Sequence, residues 1–330
     1  MGSEQFLLLL AILFSYIYAF VGGFTDAANA IATSIGSRAL SPVSAVLMAC
    51  LLEIGGALTG TAVALTIGKG IVSIEMISIS TVLAALMGTM SWSLFTYYLG
   101  IPVSETHGLI GGIIGAAMAV AGIKVIVWTG LMKVFIAIIV SPLLGFLGGV
   151  VLMEIIYNSF HSKPARKMTL LFKNLQRFSA AFMAFSHGRN DAQKPMGILV
   201  MVLALHFGWK DPDVPLWIIL SVGLTAGLGV GWGGWRIIKT LGMRIAPLTT
   251  EQGFASETAA AGVLQLASSL GIPVSTTHTI TSSIVGAGVA RRFSSIRWGI
   301  ALDILISWLL TLPATFLLGW LFAKIFGLIW

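Results

Sequence analysis

The chain has 330 residues, 57% hydrophobic and only 9% charged, with a mean hydropathy of +0.97; a soluble domain carries about 25% charged residues. The net charge of +7 does not argue for nucleic acid, because no soluble basic domain carries it. The apolar residues fall in long runs such as 6–21, 125–139 and 298–312. These runs do not alternate as the strands of a membrane barrel do, so the chain reads as an all-α, polytopic membrane protein.

In chain order, residues 1–5 lack the basic start of a cleaved signal, and Phe6 stands where a myristoylation signature requires Ser or Thr. The first apolar run is therefore expected to be a retained helix over about 6–34, interrupted near 22–29 where Asp26 and Asn29 fall. A second helix is expected over 42–67. Two arms follow, 79–99 and 103–121, joined at Pro102-Val103-Ser104-Glu105-Thr106-His107. A long helix over 127–157 contains Pro142, and a basic loop over 158–177 follows it. The second half is expected to repeat this plan: 178–206 interrupted near 188–194, then 214–235, arms at 254–270 and 274–290, and 298–326 containing Pro313. Cys50 is the only cysteine, which excludes an intrachain disulfide.

The repetition is written into the residues. Gly100-Ile101-Pro102-Val103-Ser104-Glu105-Thr106-His107 returns 171 positions later as Gly271-Ile272-Pro273-Val274-Ser275-Thr276-Thr277-His278. The offset persists through Ile113 and Ile284, Gly115 and Gly286, Ala116 and Ala287, and Ala119 and Ala290. Thr25-Asp26-Ala27-Ala28-Asn29 is matched in turn by Asn190-Asp191-Ala192-Gln193-Lys194. The expected organisation is a first membrane repeat over 1–157, a basic cytoplasmic loop over 158–177 and a second repeat over 178–330. Five segments per half, an odd number, make the second repeat inverted.

The basic residues agree with that topology. Arg38, Lys163, Arg166, Lys167, Lys173, Arg177, Arg236, Lys239, Arg244, Arg291, Arg292 and Arg297 fall in the loops expected inside, 12 in all. Only 4, namely Lys69, Lys124, Lys210 and Lys324, fall outside. Lys133, Arg189 and Lys194 lie within segments. Paired arms leave this sidedness unchanged whether they cross or re-enter. Re-entrant hairpins are preferred, since a polar turn is better held in a protein-lined cavity.

Polar, Pro-broken segments at corresponding places in two halves mark a transporter's substrate site. Pro with a Ser or Thr cap starts a helix. The arms after Pro102 and Pro273 therefore offer free N–H groups, a positive dipole end and hydroxyls, which together make an anion site without an arginine. Asp26 and Asp191 are carboxylates within apolar segments; an unpaired charge there costs at least ~2.5–3.5 kcal/mol, so each needs a cation, a partner or a proton. Asn29 and Gln193 add neutral oxygens nearby. An ion pair of Asp191 with Lys194 or Arg189 is the structural alternative, and Lys194 could equally contact an anion. Glu53 and Glu257 are intramembrane acids whose roles stay open. His107 and His278, one turn past the Ser caps, are expected to be hydrogen-bonded packing residues. His187-Gly188-Arg189-Asn190-Asp191 is one residue short of the spacing in membrane acyltransferases. No nucleotide loop or transition-metal cluster is evident.

Together, Gly23-Phe24-Thr25-Asp26-Ala27-Ala28-Asn29-Ala30, Ser186-His187-Gly188-Arg189-Asn190-Asp191-Ala192-Gln193-Lys194-Pro195-Met196-Gly197 and the two Pro-Val-Ser turns resemble the inorganic phosphate transporter (Pit) family over nearly the whole chain. Thr25 departs from the Asn usual before that Asp, and the short central loop is of prokaryotic type. The resemblance implies secondary transport of phosphate coupled to sodium or protons, with some relatives carrying sulfate or metal–phosphate complexes.

On this basis the chain is expected to be a non-enzymatic symporter importing phosphate with sodium by alternating access, multi-pass in the cell (inner) membrane and without a cofactor. Its partners would be phosphate, sodium and the bilayer, with a homodimer left open. Phosphate is expected at Ser104, Thr106, Gln193, Lys194, Ser275, Thr276 and Thr277. Sodium is expected at Asp26, Asn29, Ser104, Asn190, Asp191 and Ser275. Asp26, Asp191, Lys194 and a phosphate bury two to three negative charges, which demands cations; protons on the aspartates or His187 are the alternative. A sulfate permease is the rival on the same fold. A channel would need polar stripes along whole helices, and a transferase would need a nucleophile and a base.

Overall fold

The computed structural model describes residues 2–209 and 213–329; Lys210, counted above with the outer loops, lies outside them. The first element, α1 (Ser3–Gly36), is one uninterrupted helix of 34 residues, so the expected break near 22–29 is absent. The reason is local. Thr25 Oγ1 bonds back to the Val21 carbonyl at 2.8 Å, and no proline removes a donor. Gly23 admits a neighbouring backbone, since a Cβ there would lie 2.2 Å from the Ala226 carbonyl oxygen. Thr25, Asp26 and Asn29 thus escape lipid by being buried at 3%, 3% and 1% exposure, without unwinding the helix.

The Ser41 side chain and Pro42 start α2 (Pro42–Ala57). A bend of 68° separates it from α3 (Ala62–Gly70), where one helix was expected. The first hairpin is α4 (Ile79–Leu99) and α5 (Glu105–Ala121), with Gly100 left-handed at φ 71° closing α4. Next, α6 (Trp128–Phe160) carries Pro142 within it. The expected basic loop is mostly helix: only 161–164 separates α6 from α7 (Ala165–Asp191), because no Gly or Pro follows Pro164 until Gly188.

The second half does contain a break. Ala192 alone parts α7 from α8 (Gln193–Phe207). Pro195 has no N–H for the Asp191 carbonyl, and the flanking bonds stretch to 3.3 Å from Ala192 N and 3.4 Å from Met196 N. Beyond it come α9 (Leu216–Trp232) and, after a 57° bend, α10 (Trp235–Lys239) with a π turn over 240–244. The second hairpin is α11 (Thr250–Ser269), opened by a Thr249–Gln252 capping box, and α12 (Thr276–Arg291). The chain continues into α13 (Trp298–Ile329). No strand occurs among the described residues beyond one isolated bridge, Val72 with Ile126.

Among the described residues, five helices are long and apolar enough to cross a membrane, or up to seven spans if each bent pair counts as one. Both α4 and α5 qualify; α11 and α12, richer in Ser, Thr and Ala, do not. Apolar residues such as Leu143 at 52% and Leu309 at 69% exposure cover the outer faces of α6 and α13, as lipid-facing helices require. The packing exchanges the two halves: α5 lies on α13, the last helix of the second, while α12 lies on α6, the last of the first. The long α1 runs among α9, α4, α7 and α8. It thereby brings its polar residues between the two hairpin turns.

Candidate functional site

The hairpin starts are built identically. Ser104 Oγ accepts from His107 N at 3.1 Å, and Ser275 Oγ accepts from His278 N at 3.1 Å. Each is an N-cap satisfying the third N–H of its helix. The first two N–H groups, on Glu105 and Thr106 and on Thr276 and Thr277, have no intrahelical acceptor. The turns also clasp each other: Thr106 Oγ1 donates to the Val274 carbonyl and Thr277 Oγ1 to the Val103 carbonyl, both at 2.9 Å. Two helix N-termini with their hydroxyls, all within 1–2% exposure, are thereby fixed tip to tip. The His107 and His278 rings meet edge to face at 4.4 Å, and His278 stacks on Trp308 at 3.8 Å. They pack the back of this junction.

The central helix α1 reaches the same point. Asn29 Nδ2 donates to Thr277 at 2.9 Å and to Thr276 at 3.3 Å. Thr277 Oγ1 also lies 3.3 Å from Asp26 Oδ1. Asp26 Oδ2 and Asn29 Oδ1 are buried without hydrogen-bond partners among the described residues. A carboxylate oxygen and an amide oxygen, on residues that both meet the Thr277 hydroxyl, have the character that a hard cation selects.

From the other side, Asn190 Nδ2 bridges Asp191 Oδ1 at 2.8 Å and the Val274 carbonyl at 3.1 Å. Asp191 Oδ2 accepts from Thr276 at 3.2 Å and pairs with Lys194 Nζ at 2.9 Å. Beyond that ion pair, Lys194 Nζ has no hydrogen-bond partner among the described residues. His187 joins Glu53, 2.7 Å from Nδ1, to Asp191, 3.4 Å from Nε2. Ligand atoms of Asp26, His187 and Asp191 all lie within 4.8 Å of one another.

Of the residues singled out in the sequence, the structure therefore gathers Asp26, Asn29, Ser104, Thr106, Asn190, Asp191, Lys194, Ser275, Thr276 and Thr277. It does not gather Gln193, whose oxygen accepts from Val63 N at 2.8 Å and Ala64 N at 3.2 Å while its amide donates to the Arg189 carbonyl at 2.6 Å. Gln193 here caps the start of α3. Glu257 sits in a separate network with Thr33 at 2.6 Å, Gln176 at 3.2 Å and Ser179.

Glu105 has no role in the sequence reading, yet it is 3% exposed and accepts from Thr25 and Ser93, both at 2.9 Å. Its signal was present: it is an acid within a membrane segment, at the repeat position of Thr276. Thr25 thereby acquires a partner its departure from the family pattern left unexplained. Glu53, Glu105, Asp191 and Lys194 line one cavity with Tyr18, of about 20 Å³, room for a single water. Three carboxylates, on Glu53, Glu105 and Asp191, thus share one cavity with the Lys194 ammonium, and Asp26 lies within 4.8 Å of Asp191.

A model of the Phosphate transporter family matches residues 22–319. The chain belongs to that family. It is 42% identical, over 92% of this chain and 91% of the relative, to a low-affinity inorganic phosphate transporter of Rhizobium meliloti (strain 1021). A relative of the same description in Bacillus subtilis (strain 168) is 39% identical over 95% of both chains. Among solved structures, one described as the sodium-dependent phosphate transporter superposes with a TM-score of 0.90 at 29% identity, covering 98% of this chain and all of that one. The chain is accordingly a multi-pass membrane transporter and not an enzyme.

Proposed function

We propose that this protein imports inorganic phosphate with sodium across the cell membrane, by alternating access between two inverted repeats. The observation that carries the reading is the charge balance at the hairpin tips. With all four carboxylates ionised, Lys194 and a charged His187 between Glu53 and Asp191 still leave two negative charges, and a phosphate adds one or two more. Burying so many like charges is prohibitive without cations. The anion's place is between the two helix starts, on the hydroxyls of Ser104, Thr106, Ser275, Thr276 and Thr277, the free N–H groups and Lys194. Gln193 reaches it only after releasing α3. Sodium belongs with Asp26 and Asn29, where two oxygens stand unpartnered, and with Asn190 and Asp191 opposite. Ser104 and Ser275 border both ions. The two tips are clasped together through Thr106 and Thr277, so entry requires α1 or a hairpin tip to move.

His187, held between Glu53 and Asp191, supports proton coupling as a second reading. Labelled phosphate uptake into proteoliposomes under an imposed sodium gradient, and separately under a pH gradient alone, distinguishes the two. Uptake that follows sodium and falls in both Asp26→Asn and Asp191→Asn is expected, since ion and anion stabilise one another. Sodium-independent uptake driven by pH would overturn sodium coupling and leave the phosphate site standing.

A further inference from the structure

Three basic residues lie deep within membrane segments, and two have partners: Arg189 donates to Gln265 and Ser269, and Lys194 pairs with Asp191. Lys133 has no hydrogen bond or ion pair among the described residues, although it is exposed on α6. It sits five residues past Trp128, about 7.5 Å down the helix at 1.5 Å per residue. An exposed ammonium at that depth reaches up to the headgroup level, where an anionic lipid supplies a counterion.

Below it runs a groove of about 180 Å³ between α6 and α11, walled by Val140, Leu266 and Leu270 and ending on Val274. Apart from Lys133, its one polar side chain is Ser141, which is 2% exposed and has no hydrogen-bond partner among the described residues. A membrane-embedded slot with a free cation at one end, apolar walls and an unpaired buried hydroxyl fits an amphiphile with an anionic head. We infer that the groove seats an anionic phospholipid, its phosphate on Lys133 and one acyl chain along Val140 and Leu266 toward Val274. Inorganic phosphate has no tail for these walls, and a zwitterionic lipid meets the ammonium with its own cation alongside. The seat has a consequence for transport. The Val274 carbonyl takes the Thr106 hydroxyl and the Asn190 amide, so the chain's end braces the turn that carries Ser275.

Native mass spectrometry of the detergent-solubilised protein, titrated with equimolar phosphatidylglycerol and phosphatidylcholine, tests this. The unmodified protein should retain phosphatidylglycerol about five-fold better, the size of one lysine–lipid contact of about 1 kcal/mol. Lys133→Gln should erase the preference and Lys133→Arg restore it, while Val140→Trp, which fills the groove, should lower retention of both lipids. Equal retention of the two lipids by the unmodified protein, or an undiminished preference in Lys133→Gln, would overturn the assignment. Lys133 is on an exposed helix face, so this pair decides the matter even if Val140→Trp does not fold.

Discussion

Thr277 concentrates the chemistry of the junction in one hydroxyl. It accepts from Asn29, donates to the Val103 carbonyl and lies against Asp26. Thr277→Val keeps the shape and removes all three contacts. It leaves the Val103 carbonyl without its donor and Asn29 with only the longer contact to Thr276. One lost hydrogen bond to a charged group is worth about 1.5–3 kcal/mol, so apparent phosphate affinity in uptake assays should fall by one to two decades, and Thr277→Ser should recover most of it. Normal affinity in a well-expressed Thr277→Val protein would remove this hydroxyl from the site. Its counterpart Thr106 makes the reciprocal bond to Val274, but the neighbouring positions differ: Glu105 stands where the other hairpin has Thr276. One tip therefore brings a carboxylate and the other a neutral hydroxyl, so the two halves present different charge to the same ions.

At the scale of helices, the exchange of partners between halves depends on closely approaching backbones. A Cβ on Gly115 would lie 2.0 Å from the Phe316 carbonyl oxygen of α13, and one on Gly286 2.2 Å from that of Phe146 on α6. Gly286→Ala should therefore push α12 off α6 at an overpacking cost of about 1–3 kcal/mol. The expected readout is a lower thermal midpoint in detergent together with weaker uptake, because the start of α12 carries Thr276 and Thr277. Gly299→Ala, with nothing within 4 Å, is the control and should change neither. The hairpin starts were readable because Pro and a Ser cap act within four residues, and the α7–α8 break because Pro195 removes one particular donor. The continuity of α1 was not, since a polar patch in an apolar run looks the same whether the helix unwinds or is buried. Nor was the role of Gln193, whose partners Val63 and Ala64 lie about 130 residues away in sequence and depend on the bend after α2.

Across the whole molecule, contacts sort the loops into two ends. Arg177 donates to the Ala39 carbonyl, Arg297 to the Arg244 carbonyl, and Gly36 abuts Gly242. A cavity of about 460 Å³ brings Ser37, His161, Glu251 and Arg291 together there. At the opposite end, Glu4 and Leu7 share a cavity with Ser78 and His206, and Val72 pairs with Ile126 beside Lys69 and Lys124. The basic residues assigned inside by count thus include a group that is adjacent in space, while the start of α1 lies with the sparsely charged end. With a membrane placed between these ends, the positive-inside rule predicts that the basic one faces the cytoplasm. In a Cys50→Ser background, Lys124→Cys should react with an impermeant thiol reagent added to intact cells, whereas Arg166→Cys, equally exposed, should react only after permeabilisation. The pair is sensitive because an even number of crossings between them would give both the same accessibility, and the single helix α6 lies between Lys124 and Arg166. Labelling of Arg166→Cys from outside would therefore remove the opposite sidedness of the halves, and with it the inverted repeat on which alternating access rests here.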